Sequence, residues 1–210
     1  MDKQRYGIFG GTFDPIHHGH LIAAQVALEI LNLDRILFLP SANPPHKEVA
    51  TVTPFSLREQ MVQLAIQDNP LFLVSDLESR RFGPSYTIST VTELRKIYPP
   101  EEYDLWLLIG ADNLAEFNNW KEPEKILQEI PVVVLARPGY ELSTAPPLFR
   151  QKARWVQIPL IDISSTDIRK RMAKQLPIRY LVPENVAEFI HHQKLYQYTI
   201  SAGCSHKRVN

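Results

Sequence analysis

Eleven residues near the start of the chain, Gly10-Gly11-Thr12-Phe13-Asp14-Pro15-Ile16-His17-His18-Gly19-His20, carry three glycines and three histidines. Gly10 and Gly11 present no side chain, so a phosphate group can come close to the backbone there, beside Thr12. His17 and His20 are three apart and bracket Gly19, which on a helix turns both imidazoles towards one anion. A neutral imidazole donates a hydrogen bond to such an anion, and the anion in turn raises its pKa. His18 points away from its neighbours on that geometry and reads as a solvent residue. The familiar glycine fingerprints do not fit. There is no G-x-G-x-x-G, which argues against a dinucleotide-binding dehydrogenase, and no glycine loop ending in Lys-Ser/Thr, which argues against a Walker P-loop.

A second stretch, Ile163-Ser164-Ser165-Thr166-Asp167-Ile168-Arg169, places three hydroxyls and an Asp before a helix whose first turn contains Arg169. This is a sound N-cap by itself. The same groups also suit phosphate: hydroxyls and N–H groups point outward, and Arg169 can grip bidentately. Two such helix beginnings in one chain can hold opposite sides of a polyphosphate.

These residues need elements to position them. Tyr6 to Phe9 is short, apolar and aromatic and predicts a buried strand; about His20 to Leu31 predicts a helix burying Ile22, Val26 and Ile30. A further strand over Arg35–Leu39 with no hairpin turn implies a right-handed parallel crossover. Ser56-Leu57-Arg58-Glu59 has the form of a capping box for a helix to about Gln67, with Leu57, Met61 and Leu64 inward. Strands follow at Leu71–Val74, Asp104–Ile109 and Pro131–Ala136, with Trp155–Ile158 as a short final candidate. Gly83-Pro84-Ser85-Tyr86-Thr87 opens a helix burying Val91, Leu94 and Ile97; Tyr140–Lys152 has no clear period and reads as loop. A last helix over Val182–His191 buries Val186, Phe189 and Ile190. The pattern predicts an α/β, doubly wound (Rossmann-like), mostly parallel sheet of about five strands. Helices cover both faces, and a C-terminal helical appendage follows. Residues 1–196 form one domain and 197–210 a tail without regular structure.

In such sheets ligands lie beyond the carboxyl ends of the strands. That side collects further candidates. His46 and Lys47 tip a proline-stiffened loop, Asp112 follows Gly110 just past a strand end, Trp120 lies in a loop, and Arg137 closes a strand. Asp112 suits ribose hydroxyls or an N-cap, and Trp120 suits ordinary packing or an aromatic ligand.

Composition narrows the classes. In 210 residues, 44% are apolar and 22% charged, a globular balance. Lys plus Arg equals Asp plus Glu at 23 each, so no global field calls for nucleic acid or a membrane surface. Cys204 is the single cysteine, which excludes an internal disulfide and a cysteine-based zinc site. Without an apolar run long enough to span a bilayer, the expectation is a cytoplasmic protein.

The first stretch resembles the H-x-G-H signature of the nucleotidyltransferase superfamily. Taken with Pro44-Pro45-His46-Lys47, Gly83-Pro84-Ser85-Tyr86-Thr87, Gly110-Ala111-Asp112, Trp120, Arg137-Pro138-Gly139 and Ile163–Arg169 in that order, it resembles the bacterial nicotinate-nucleotide adenylyltransferase family over about residues 5 to 196. The resemblance implies AMP transfer from ATP to nicotinate mononucleotide. It also implies Mg2+ held mainly by substrate phosphates and water, no nucleic-acid or membrane partner, and scope for a homo-oligomer. By the same resemblance His17, His20 and Arg169 are catalytic. Gly10, Gly11, Thr12, Gly110, Asp112, Arg137, Ile163, Ser165 and Thr166 bind ATP. His46, Lys47, Tyr86, Thr87, Asn119 and Trp120 bind the acceptor. Phosphopantetheine adenylyltransferases share both end motifs but not the Pro-Pro-His-Lys and Gly-Pro-Ser-Tyr-Thr pair. A nucleotide sensor that does not catalyse is the alternative from another class.

Overall fold

The computed structural model describes residues 2–44, 52–114, 117–136 and 147–197, without the side chains at 112, 113, 147 and 148. His46, Lys47, Arg137 and the tail from 198 onward lie outside the described residues, as does the side chain of Asp112.

Six strands, β1 (Gln4–Gly11), β2 (Arg35–Pro40), β3 (Phe72–Val74), β4 (Tyr103–Gly110), β5 (Val132–Ala136) and β6 (Arg154–Gln157), form one sheet in the order β3-β2-β1-β4-β5-β6. Every pairing is parallel. The sheet therefore has six strands rather than about five, because the short segment at 154–157 pairs along β5.

Strands buried on both faces read as continuous apolar runs, and this sheet follows that rule. Successive residues alternate between two cores. Phe9, Ile36, Phe38, Leu108, Val133 and Leu135 face one side, while Ile8, Leu37, Leu39, Leu107, Val132 and Val134 face the other. Helices α1 (His18–Ile30), α2 (Phe55–Ile66), α7 (Ser165–Ala173) and α8 (Glu184–His192) cover the first side. Helices α3 (Thr87–Ile97), α4 (Ala111–Leu114), α5 (Pro123–Glu129) and α6 (Pro147–Lys152) belong to the second. Each fully buried Leu, Ile, Val or Phe stabilises the fold by about 1.5–3 kcal/mol.

Several helix faces differ from the sequence expectation. Helix α1 buries Ala23, Ala24, Ala27 and Leu28, leaving Ile22 and Ile30 36% and 48% exposed. Its apolar residues run nearly all round, and the alanine side lets the helix lie closest to the sheet. The capping box at Ser56 does not form: α2 starts at Phe55 with Pro54 in the N-cap position. Arg58, not Leu57, is the fully buried residue of its first turn, and Leu64 is half-buried. Ile97 is exposed at the end of α3, and Thr90 takes an inward position instead. Part of the supposed loop before 152 is α6, whose Phe149 is buried against Phe117. Helix α8 starts at Glu184 behind Pro183. Among the described residues, no helix is long and apolar enough to cross a membrane.

Candidate active site

The order β3-β2-β1-β4-β5-β6 reverses direction between β1 and β4, and the crevice beyond their carboxyl ends is where such a sheet receives ligands. A cleft of about 470 Å³ opens there. Its walls contain Gly10, Gly11, Thr12, His17, Gly19, His20, Gly110, Ser165, Tyr86, Thr87, Asn119 and Trp120, so residues separated by up to 155 positions share one space. Of the remaining predicted residues, Ile163, Thr166 and Arg169 stand beside the wall rather than in it.

The first helix beginning is built as a stacked pair. The rings of His17 and His20 lie 3.7 Å apart, inclined by 25°. His17 is 4% exposed, and its backbone N–H donates to Nδ1 of His20 at 3.3 Å. That bond leaves the proton of a neutral His20 ring on Nε2. Phe13 meets the His20 ring edge-on at 5.1 Å, which holds it from the other side. Gly19 gives the His17 ring its room in this packing. A Cβ there would stand 3.0 Å from Cε1 and Nδ1 of His17 and 3.7 Å from the carbonyl oxygen of Ile163. At Gly10 a Cβ would meet nothing within 4 Å, so hydrogen in place of a side chain leaves open space at the strand end. His18, expected in solvent, is half-buried, and its N–H donates to the Leu181 carbonyl.

The second helix beginning is bolted to the first. Ser164 is the N-cap of α7, accepting the Asp167 N–H at 3.1 Å. The Ser165 hydroxyl donates to the carbonyl of Pro15 at 2.9 Å, and Nη1 of Arg169 donates to the carbonyl of Asp14 at 2.7 Å. Nη2 of Arg169 reaches Thr166 Oγ1 at 3.4 Å. The Ser165 proton is thus committed to joining the two helix starts. Arg169 keeps guanidinium N–H groups beyond those two bonds.

The opposite half of the cleft is aromatic. Trp120 packs on Phe117, ring centroids 4.9 Å apart, and also lines the cleft. Tyr86 precedes α3, which begins at Thr87, and both residues line the cleft. Helix α4 begins at Ala111, so Asp112 lies within its first turn and not at the N-cap.

Sequence reasoning missed several residues. Lys121 sets its ammonium 4.6 Å from the centre of the Tyr86 ring and lines the same half of the cleft. Glu78, 8% exposed, accepts from Thr90 Oγ1 at 2.7 Å and from the Ala42 N–H at 3.3 Å. Arg58, 1% exposed, donates to the carbonyls of Thr12, Thr53 and Ser41 at 2.7, 2.7 and 2.8 Å. Burial pushes its guanidinium below the ordinary arginine value, opposed chiefly by the nearby Asp14. An arginine among apolar neighbours at a helix start gives no sequence signal of this kind, since its partners are backbone carbonyls from three loops.

The chain is similar to known proteins in both sequence and fold. The cytidylyltransferase-like family model matches residues 8–171. A protein of Thermomicrobium roseum named “Probable nicotinate-nucleotide adenylyltransferase” is 46% identical, covering 92% of both chains. One of the same name from Thermus thermophilus is 44% identical, covering 92% of this chain and all of its own length. Among solved structures, the nicotinic acid mononucleotide adenylyltransferase of Plasmodium falciparum complexed with NaAD superposes with a TM-score of 0.75 at 20% identity, over 92% of this chain and 97% of that one. That likeness speaks for the fold, and the two bacterial relatives speak for the closer kinship. The chain belongs to the cytidylyltransferase-like family and, within it, to the nicotinate-nucleotide adenylyltransferases.

Proposed function

We propose that the protein transfers AMP from ATP to nicotinate mononucleotide, giving deamido-NAD and pyrophosphate. The observation that carries this reading is the junction of two helix beginnings around one turn: the stacked His17–His20 pair on one side, Ser165 and Arg169 on the other. The kinship with proteins named for this activity supports the same substrates, and the P. falciparum enzyme's complexes with NaAD and with APC are in keeping with a nucleotide in this cleft.

In this reading the acceptor's phosphate oxygen is itself the nucleophile. It attacks the α-phosphorus of ATP in line, a new P–O bond forms, and the bond to the β-phosphate oxygen breaks as pyrophosphate departs. No side-chain nucleophile is needed; the protein aligns the groups and meets the charge that develops. Gly10, Gly11 and Thr12 lie beside the transferred group, and His17 and His20 donate to the phosphates. Arg169, with Ile163, Ser165 and Thr166 at its helix start, borders the triphosphate. Gly110 and Asp112 meet the nucleoside, with Arg137 near the adenine. Tyr86, Thr87, Asn119 and Trp120 receive the pyridine ring and its carboxylate, and His46 and Lys47 the acceptor phosphate.

The donor set bears on the metal. Among the described residues no three His, Cys, Asp or Glu side chains stand close enough to hold a cation. Asp14 accepts from Tyr196 and Thr53, and Glu78 from Thr90 and Ala42. Imidazoles, hydroxyls and N–H groups suit phosphate oxygens instead, which fits magnesium carried in on the triphosphate with water completing its shell. When bound, it neutralises phosphate charge. The reading calls for no nucleic acid or membrane and sets the protein in the cytoplasm.

The test is pyrophosphate release by the purified protein with ATP, magnesium and one of three acceptors: nicotinate mononucleotide, nicotinamide mononucleotide or phosphopantetheine. The nicotinate arm is expected to be fastest. Release with phosphopantetheine alone would reassign the acceptor, and silence with all three would favour a nucleotide sensor.

A further inference from the structure

The end of the described chain returns to the site. After α8, Lys194 and Tyr196 take left-handed backbone angles, φ 53° and 61°, and the chain turns inward. The Tyr196 hydroxyl donates to Oδ1 of Asp14 at 2.6 Å, across 182 positions of sequence. Asp14 is 4% exposed, and its other carboxylate oxygen accepts the Thr53 N–H at 3.1 Å. The same residue's backbone carbonyl is the one that Arg169 grips. Tyr196 is not part of the cleft wall, and its hydrogen bond to Asp14 ties it to the turn that leads into the wall.

We propose that Tyr196 is a positioning residue for nucleotidyl transfer. Its hydroxyl fixes the Asp14 carboxylate, and through it the orientation of the turn from Thr12 to Pro15 that feeds His17 and His20 into the cleft. The carbonyls of this turn are already held by Arg58 at residue 12, Arg169 at 14 and Ser165 at 15. The side chain of Asp14 is a further handle on the turn, held by Thr53 and Tyr196. Removing the hydroxyl leaves a buried carboxylate oxygen short of a donor, and it must rotate or admit water. Either response shifts the turn by a fraction of an ångström, and displacements of that size are costly where reacting groups must be aligned.

This inference rests on the proposed function, and the plain rival is that Tyr196 only anchors the chain end. Tyr196→Phe separates them, since it keeps the ring packed against the core cluster that includes Met61 and deletes the hydroxyl. Three quantities are measured: the thermal midpoint, kcat and KM for each substrate, and the imidazole ¹⁵N signals of His17 and His20 in the ligand-free protein. The expected result is a kcat lower by about tenfold with the acceptor KM unchanged, together with shifted histidine signals. In a cycle with Asp14→Asn, the double variant should be no slower than Asp14→Asn alone. Wild-type kcat and wild-type histidine signals in Tyr196→Phe would overturn the proposal, whatever happens to the midpoint. Should wild-type protein release no pyrophosphate, the functional reading falls, while the histidine signals still decide whether the hydroxyl positions the turn.

Discussion

His20 owes its orientation to three neighbours: the His17 ring it stacks on, the His17 N–H that fixes its tautomer, and the edge of Phe13. A donor held this firmly loses no reorganisation energy when charge develops on a phosphate, which is why it is worth more than the same group in water. His20→Ala should therefore lower kcat by about 10²–10³-fold, or about 2.7–4 kcal/mol at the transition state by analogy with an oxyanion donor, with an unchanged melting midpoint. Near-normal pyrophosphate release from the folded variant would remove this histidine from the reaction. Gly19 makes a gentler probe. A methyl group there meets His17 at 3.0 Å, so the ring must yield by a few tenths of an ångström. Gly19→Ala is expected to fold, since the site is helical and Ala favours helix, yet to lose about tenfold in kcat from misalignment. An unaffected kcat would mean that the stack tolerates displacement.

Among the elements, the connection from β1 to α1 is the one that other parts of the chain converge on. Arg58 of α2 is its strut, since one guanidinium joins the loops after β1 and β2 to the approach to α2 through three carbonyls. Arg58→Met fills similar space but takes the guanidinium donors from those part-buried carbonyls, each at about 1–3 kcal/mol. A loss of at least about 3 kcal/mol in denaturant unfolding is expected, with Arg58→Lys recovering part of it because one ammonium cannot span the fork. A variant as stable as the parent would show that the loops hold themselves. The helix faces argue the same point about context. Helix α1 has apolar residues on more than one side, and the sheet selects the alanine face because it permits the closest approach.

Taken whole, the molecule solves an electrostatic problem with geometry. Its charges cancel at 23 of each sign, and the proposed function puts a strongly anionic ligand in its cleft. The starts of α1, α3, α4 and α7 all stand at this one end of the sheet, bringing Gly19, Thr87, Ala111 and Ser165 to the wall. Helix N-termini supply partial positive charge where net charge does not. The chain's far end also contributes to stability, and with a definite pH dependence. Burial first, and then the Asp14 carboxylate, hold the Tyr196 hydroxyl well above its ordinary value of 10.0. In the unfolded chain that phenol loses its proton near pH 10, while the folded protein retains it. The unfolded state then binds fewer protons, so stability that is complete below about pH 10 declines as pH rises beyond it. Unfolding by urea at pH 9 and pH 11 should show this loss, and Tyr196→Phe should flatten it; identical slopes in the two proteins would show that another group titrates.

The sequence by itself determined the class of sheet, the places of the two helix beginnings that meet at the cleft and the family, because backbone preferences, strand periodicity and a motif confined to eleven residues are local properties. It did not determine which face of α1 would be buried, that Arg58 would be swallowed whole, or that Ser165 would bind Pro15 rather than keep its proton for a ligand. Nor did it tie Tyr196 to Asp14. Those outcomes belong to the tertiary structure for one physical reason: each depends on which donor meets which acceptor after distant segments have packed, and the spacing of residues along a chain carries no record of that.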